Sequence, residues 1–110
     1  MLIEQKKQYS DEVNSSEDIS SILWILSDSY CRTILRNIRD VPKSCMEISV
    51  GCKIPISTVY RRMQHLQDQK LVHTSGTISS DGKKYFLYKS KIRSIHALFD
   101  DKLAVNIIYS

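Results

Sequence analysis

Apolar residues follow a helical rhythm through the first two thirds of the chain and an alternating one near its end. Between Pro55 and Val72, the residues Val59, Met63 and Leu66 recur at the spacing of one helical face, which predicts a helix over Ser57–Gln69. Pro55 punctuates the turn before it, and Ser57 or a neighbour is placed to cap it. At roughly 100° per residue, Ser57, Thr58, Arg61, Gln64 and His65 fall opposite the apolar side, with Tyr60 and Arg62 on the flanks. That outer face is rich in hydrogen-bond donors and carries a single carboxylate, Asp68, near its far end.

Three shorter helices are predicted upstream. Ser16 or Asp18 caps the first, Ile19 to Ser27, whose Ile19, Ile22, Leu23, Trp24, Ile25 and Leu26 leave almost no polar side. A helix apolar all round is buried all round, against a second subunit or under terminal segments that fold back over it. Asp28 or Ser29 starts the second, which runs to Arg39 and turns Tyr30, Cys31, Ile34, Leu35 and Ile38 to the core. Arg32, Arg36 and Arg39 lie on another side, as phosphate contacts or as a solvated face. Ser44 and Glu47 have the spacing of a capping box for the third, Cys45 to Cys52, which buries Ile48 and parts of Met46, Val50 and Cys52.

Strand signals fill the rest. Asp40-Val41-Pro42-Lys43 leaves room for a short strand, and Leu71–Ser75 and Lys83–Tyr88 flank loop chemistry from Gly76 to Gly82. These two strands form a hairpin with Ser79, Ser80, Asp81, Gly82 and Lys83 at its tip. Toward the end, Leu103, Val105, Ile107 and Tyr109 alternate with their neighbours after an Asp100-Asp101-Lys102 turn, which predicts a hairpin of 92–99 with 103–109. Ile92, Ile95, Leu98 and Phe99 also fit helical spacing, so a helix followed by a strand is the alternative. Residues 1–18 are polar and aperiodic and read as a mobile arm, with a frayed helix near Ile3 to Tyr9. The class is α+β, in one small domain.

Charge adds a direction. The 110 residues carry a formal +4, but residues 1–18 hold two lysines against five acids, whereas residues 53–93 hold nine Lys/Arg against Asp68 and Asp81. A basic block behind an acidic start is the footprint of a polyanion binder, although a merely soluble basic surface has the same composition. The N-terminus lacks the apolar core of a signal peptide, and the longest apolar run, Ile22 to Leu26, is too short to span a bilayer. A cytoplasmic location is expected, with no membrane partner. Three cysteines are an odd number for a disulfide framework.

Ile54-Pro55-Ile56-Ser57-Thr58-Val59-Tyr60-Arg61-Arg62-Met63, continuing to Lys70-Leu71-Val72, resembles the recognition helix of winged helix-turn-helix regulators, and most of all the ArsR-like group of archaeal type. The likeness covers roughly Ile19 to Tyr88. It implies a three-helix core plus a β-hairpin wing over 19–90, preceded by the arm and followed over 91–110 by a C-terminal hairpin used for packing or dimerisation. Relatives carry Gly in the turn two residues before the Pro, whereas this chain has Lys53 there and Gly51 two positions earlier. A non-Gly residue in a left-handed turn is strained, so the turn and the tilt of the following helix are expected to differ slightly.

The expected function is that of a homodimeric, sequence-specific regulator of transcription on double-stranded DNA. Helix 57–69 enters the major groove, where Arg61 and Arg62 are best suited to contact guanine or clamp phosphate. Ser57, Thr58, Tyr60 and His65 add backbone or base contacts, and Lys83 and Lys84 hold the wing on the sugar-phosphate. The rival readings are a winged-helix protein-interaction module and a non-specific architectural DNA binder. There is no phosphate loop, no H-E-x-x-H, no serine elbow and no carboxylate cluster, so neither an enzyme nor a small-molecule substrate is expected. No cofactor is expected either. Relatives often sense metal through cysteines, but Cys45 and Cys52 are two helical turns apart, about 10 Å, too far to share one zinc ion.

Overall fold

A computed structural model describes residues 9–110, an α+β arrangement of four helices and five strands in the order β1 (Tyr9–Val13), α1 (Ser16–Ser27), α2 (Ser29–Asn37), α3 (Cys45–Cys52), α4 (Ile56–Asp68), β2 (Val72–Ile78), β3 (Lys84–Ser90), β4 (Ile92–Phe99) and β5 (Leu103–Tyr109). The frayed helix expected near Ile3 lies outside the described residues, apart from Tyr9, which opens β1. Among the described residues, no helix is long and apolar enough to cross a membrane.

Local chemistry sets the helix ends. Ser15, one position before the expected cap, accepts from the Asp18 N–H at 3.0 Å and starts α1. Asp28 closes α1 and opens α2, accepting from the Cys31 N–H at 2.9 Å. The Ser44–Glu47 capping box forms with both of its hydrogen bonds at 3.1 Å. Pro55 stands at the N-cap of α4 and offers no side-chain acceptor, so the serine cap expected there is absent. Its carbonyl receives the Thr58 and Val59 N–H groups instead.

The turn from α3 to α4 runs through Lys53 in the left-handed region, φ 56° and ψ 43°. The lysine thus takes the conformation that favours glycine. Ser49 secures the turn from both sides: its carbonyl accepts the Ile54 N–H at 3.1 Å, and its hydroxyl donates to the Ile54 carbonyl at 2.6 Å.

Both sheets are antiparallel, one of two strands (β2-β3) and one of three in the order β1-β5-β4. The expected C-terminal hairpin is present, its turn tied by Asp100, whose carboxylate accepts the Lys102 N–H. The short strand expected near Lys43 is a single bridge to Tyr88, with hydrogen bonds in both directions. Residues 9–13, expected as part of a mobile arm, form β1 on β5, from Tyr9 opposite Tyr109 to Val13 opposite Val105. Pairing satisfies the backbone of this polar stretch, and Val13 is the apolar side chain it adds beside the core.

One core joins all four helices to the three-stranded sheet. Ile22, Ile25, Ile34, Ile38, Ile48, Val59, Met63 and Leu66 meet Val105 and Ile107 there. The sheet therefore covers part of α1, as the folded-back alternative anticipates. Trp24 stays exposed, as do Met46 and Val50 on α3, so neither helix is buried to the extent expected.

Candidate nucleic-acid interface

Val59, Met63 and Leu66 are fully buried, which fixes how α4 is rotated. Ser57, Tyr60, Arg61, Gln64 and His65 emerge on its open side, while Thr58 is half-buried. Gln64 donates to Asp68 at 2.9 Å, four residues on, so the one carboxylate of this face is engaged along the helix. Arg61 is exposed and has no ion-pair partner among the described residues.

Arg62, one step round the helix, is turned back to the protein. Its Nε donates to Oδ2 of Asp28 at 2.9 Å, and its guanidinium carbon lies 5.4 Å from the centroid of Trp24 and 5.7 Å from that of Tyr30. Only 21% of the Arg62 side chain is exposed. His65 stands against the other aromatic of this cluster's rim, with its ring centroid 4.7 Å from that of Trp24. The sequence pairs Arg61 and Arg62 as equivalent donors; the fold separates them, because the flank occupied by Arg62 faces the α1–α2 junction. Asp28, Trp24 and Tyr30 are the residues that sequence reasoning missed, and Tyr30, expected in the core, is exposed at this edge.

Burial of Asp28 opposes its ionisation, but the hydrogen bonds from Cys31 and the Arg62 guanidinium outweigh it and hold the carboxyl below its ordinary 3.8. The Cys31 thiol beside it is pushed up to about 12, by burial first and then by the Asp28 carboxylate. Burial likewise raises the Cys45 thiol. Both therefore stay protonated and unreactive at neutral pH.

The β2–β3 hairpin stands next to α4 and is fastened to it by Gln67, whose side-chain amide donates to Thr74 Oγ1 at 3.2 Å. Its strands extend beyond the expected ends, with Gly76 paired to Phe86 inside the ladder. A Cβ on Gly76 would stand 3.3 Å from Lys84 Cε and 3.9 Å from the Phe86 ring. Lys84 Nζ sits 5.6 Å from the Phe86 ring centroid. At the tip, Gly82 takes φ 83°, and the Asp81 carboxylate accepts from the Ser79 hydroxyl, a hydrogen bond that holds the carboxyl below its ordinary 3.8. Lys83 and Lys84 are both exposed.

The start of α3, Tyr60 of α4 and strand β3 enclose a groove of about 320 Å³, in which Met46 and Tyr60 face Lys84, Phe86 and Tyr88. Of the expected DNA-contacting residues, Tyr60 and Lys84 line this groove; Arg61 and Lys83 are exposed outside it, and Arg62 and His65 belong to the aromatic cluster around Trp24. Among the described residues, no three His, Cys, Asp or Glu side chains group as metal ligands would. Comparison with protein-family models and with curated proteins finds no match to this chain.

Proposed function

We propose that this protein is a winged-helix regulator of transcription that binds double-stranded DNA in a sequence-dependent manner as a homodimer. The observation that carries the reading is an α4 anchored by Val59, Met63 and Leu66 that leaves Ser57, Tyr60 and Arg61 exposed, beside a hairpin that exposes Lys83 and Lys84, with Tyr60 and Lys84 lining one groove. A helix with one buried face has the dimensions to enter a major groove about 12 Å wide, and a hairpin beside it reaches neighbouring phosphates. Arg61 is the donor with two free N–H pairs for a guanine edge. Tyr60 and Ser57 flank it, and Thr58 is partly withdrawn.

Arg62 has a different part in this scheme. With Nε committed to Asp28, its outer nitrogens are presented at a fixed angle from a cage of two aromatic rings. That suits the clamping of a phosphate at the edge of the site better than the reading of a base. His65 reaches the same edge beside Trp24.

Selection of bound sequences from a pool of random duplexes tests the proposal. The expected result is a two-fold site with half-sites about 10 bp apart. Recovery of no preferred sequence despite salt-sensitive binding would indicate an architectural binder. Absence of duplex binding would leave a protein-interaction module.

A further inference from the structure

A second basic surface lies outside the proposed DNA interface. Between α2 and β4 runs an open groove of about 240 Å³, floored by Leu26, Leu35, Ile92 and Ile95. Arg32, Arg36, Arg39 and Arg93 line it, and no carboxylate does. Arg32 donates to the Leu26 carbonyl at 2.7 Å, while Arg36, Arg39 and Arg93 have no ion-pair partner among the described residues. Gathering four like charges without a counter-charge costs free energy through their mutual repulsion, which a bound anion reverses.

The sheet contributes two further features. In the order β1-β5-β4, β4 is an edge strand of eight residues whose outer side has no partner among the described residues. Its pairing with β5 shifts register between Ile92 and Ser94, leaving Arg93 as the unpaired residue of a bulge. Bulges re-aim side chains, and this one brings Arg93 to the rim already occupied by the α2 arginines.

We infer that this groove is a docking site for an extended acidic segment of a partner protein, which adds a strand to the edge of β4. Such a segment would turn every second side chain, an acidic one, toward the groove, with its methylenes over the apolar floor and its carboxylate on the arginines, which bind carboxylates in bidentate fashion. A second copy pairing β4 with β4 about a two-fold axis would bring two arginine rims together, so charge disfavours it. A DNA backbone would leave the four apolar floor residues without a use. The inference is independent of the DNA reading.

The test is binding of a fluorescein-labelled decapeptide of alternating Glu and Val to the full chain, followed by anisotropy. A Lys-Val counterpart serves as the control. The Glu-Val peptide is expected to bind, the control is not, and Arg36→Glu/Arg39→Glu is expected to weaken binding at least about tenfold. Arg93→Gln provides a milder variant should the double reversal disturb folding, and it is expected to weaken binding about threefold. Backbone amide signals of residues 92–99 should shift on binding and gain protection from exchange. Equal binding of both peptides, or indifference to all these substitutions, would overturn the inference. Two other results would do so as well: displacement of the peptide by duplex DNA with a matching loss of DNA affinity in the variants, or a free chain whose self-association is abolished by them.

Discussion

Arg62 donates its Nε–H to Oδ2 of Asp28 over 2.9 Å, and the same oxygen accepts the Cys31 N–H that starts α2. One carboxylate atom thereby joins the first turn of α2 to the middle of α4, residues 34 apart in the chain. The orientation of α4 thus rests on an ion pair at its rim as well as on Val59, Met63 and Leu66 beneath it. Two variants separate the two duties of Asp28. Asp28→Asn keeps a cap acceptor and loses the charge, for an expected loss of about 1 kcal/mol. Asp28→Ala loses both, about 1–3 kcal/mol. Urea unfolding followed through Trp24, the sole tryptophan, measures each.

The same pair predicts an acid dependence. The Asp28 carboxyl is held below its ordinary 3.8 in the folded protein. Its stabilising contribution is therefore complete above about 3.8 and is lost as pH falls through the lower folded value. Stability measured from pH 7 down to pH 3 should fall less steeply in Asp28→Asn than in the parent. Parallel profiles would show that the ion pair contributes nothing to folding.

Adjacent arginines on α4 should differ in their effect on stability. Arg61 is exposed and touches no carboxylate among the described residues, so Arg61→Ala should shift the unfolding free energy by no more than about 0.5 kcal/mol. Arg62→Ala strands Asp28 and removes a cation from two aromatic faces, for an expected loss of about 1–3 kcal/mol. In a domain of this size the second change lowers Tm by roughly 4–8 °C per kcal/mol. Equal melting temperatures for the two variants would refute the distinction.

What could be read from the sequence follows the range of the interaction concerned. Val59, Met63 and Leu66 declare their face by spacing alone, and all are buried. The C-terminal hairpin was legible because Leu103, Val105, Ile107 and Tyr109 alternate after a turn that Asp100 closes locally. β1 was not, because Ser10, Asp11 and Glu12 have no apolar rhythm and are held by backbone pairing to β5, almost a full chain length away. Gly76 reads as the start of the loop, yet its backbone continues the ladder opposite Phe86, a pairing set by the partner strand and not by any signal near Gly76. A helical wheel gives the angle of Arg62 but not its partner; the only local hint was an acid and two aromatics gathered around one helix junction, at Trp24, Asp28 and Tyr30.

Lys53 offers a stabilising substitution. Its φ of 56° places an L side chain in a region that costs roughly 1–2 kcal/mol, which glycine avoids. Glycine gives part of that back through the greater freedom of the unfolded chain. Lys53→Gly should therefore stabilise the protein by about 0.5–1 kcal/mol, read as a higher urea midpoint with an unchanged slope. Lys53→Ala, which keeps the strain and removes only the charge, should leave the midpoint nearly where it is.

DNA binding should divide the α4 face from the hairpin. Arg61 stands on the open side of the helix, so Arg61→Ala is expected to cost about 1–3 kcal/mol on the selected site and to relax preference at one base pair. Lys84 stands on the hairpin over Phe86, a position suited to phosphate. Lys84→Ala should weaken all duplexes alike and reduce the slope of log K against log salt by about 1. Competition between the selected duplex and a scrambled one, repeated across a salt series, separates the two kinds of loss. If both variants lose affinity equally on both duplexes, Arg61 reads no base, and the sequence preference must come from the shape of the DNA or from other side chains on α4.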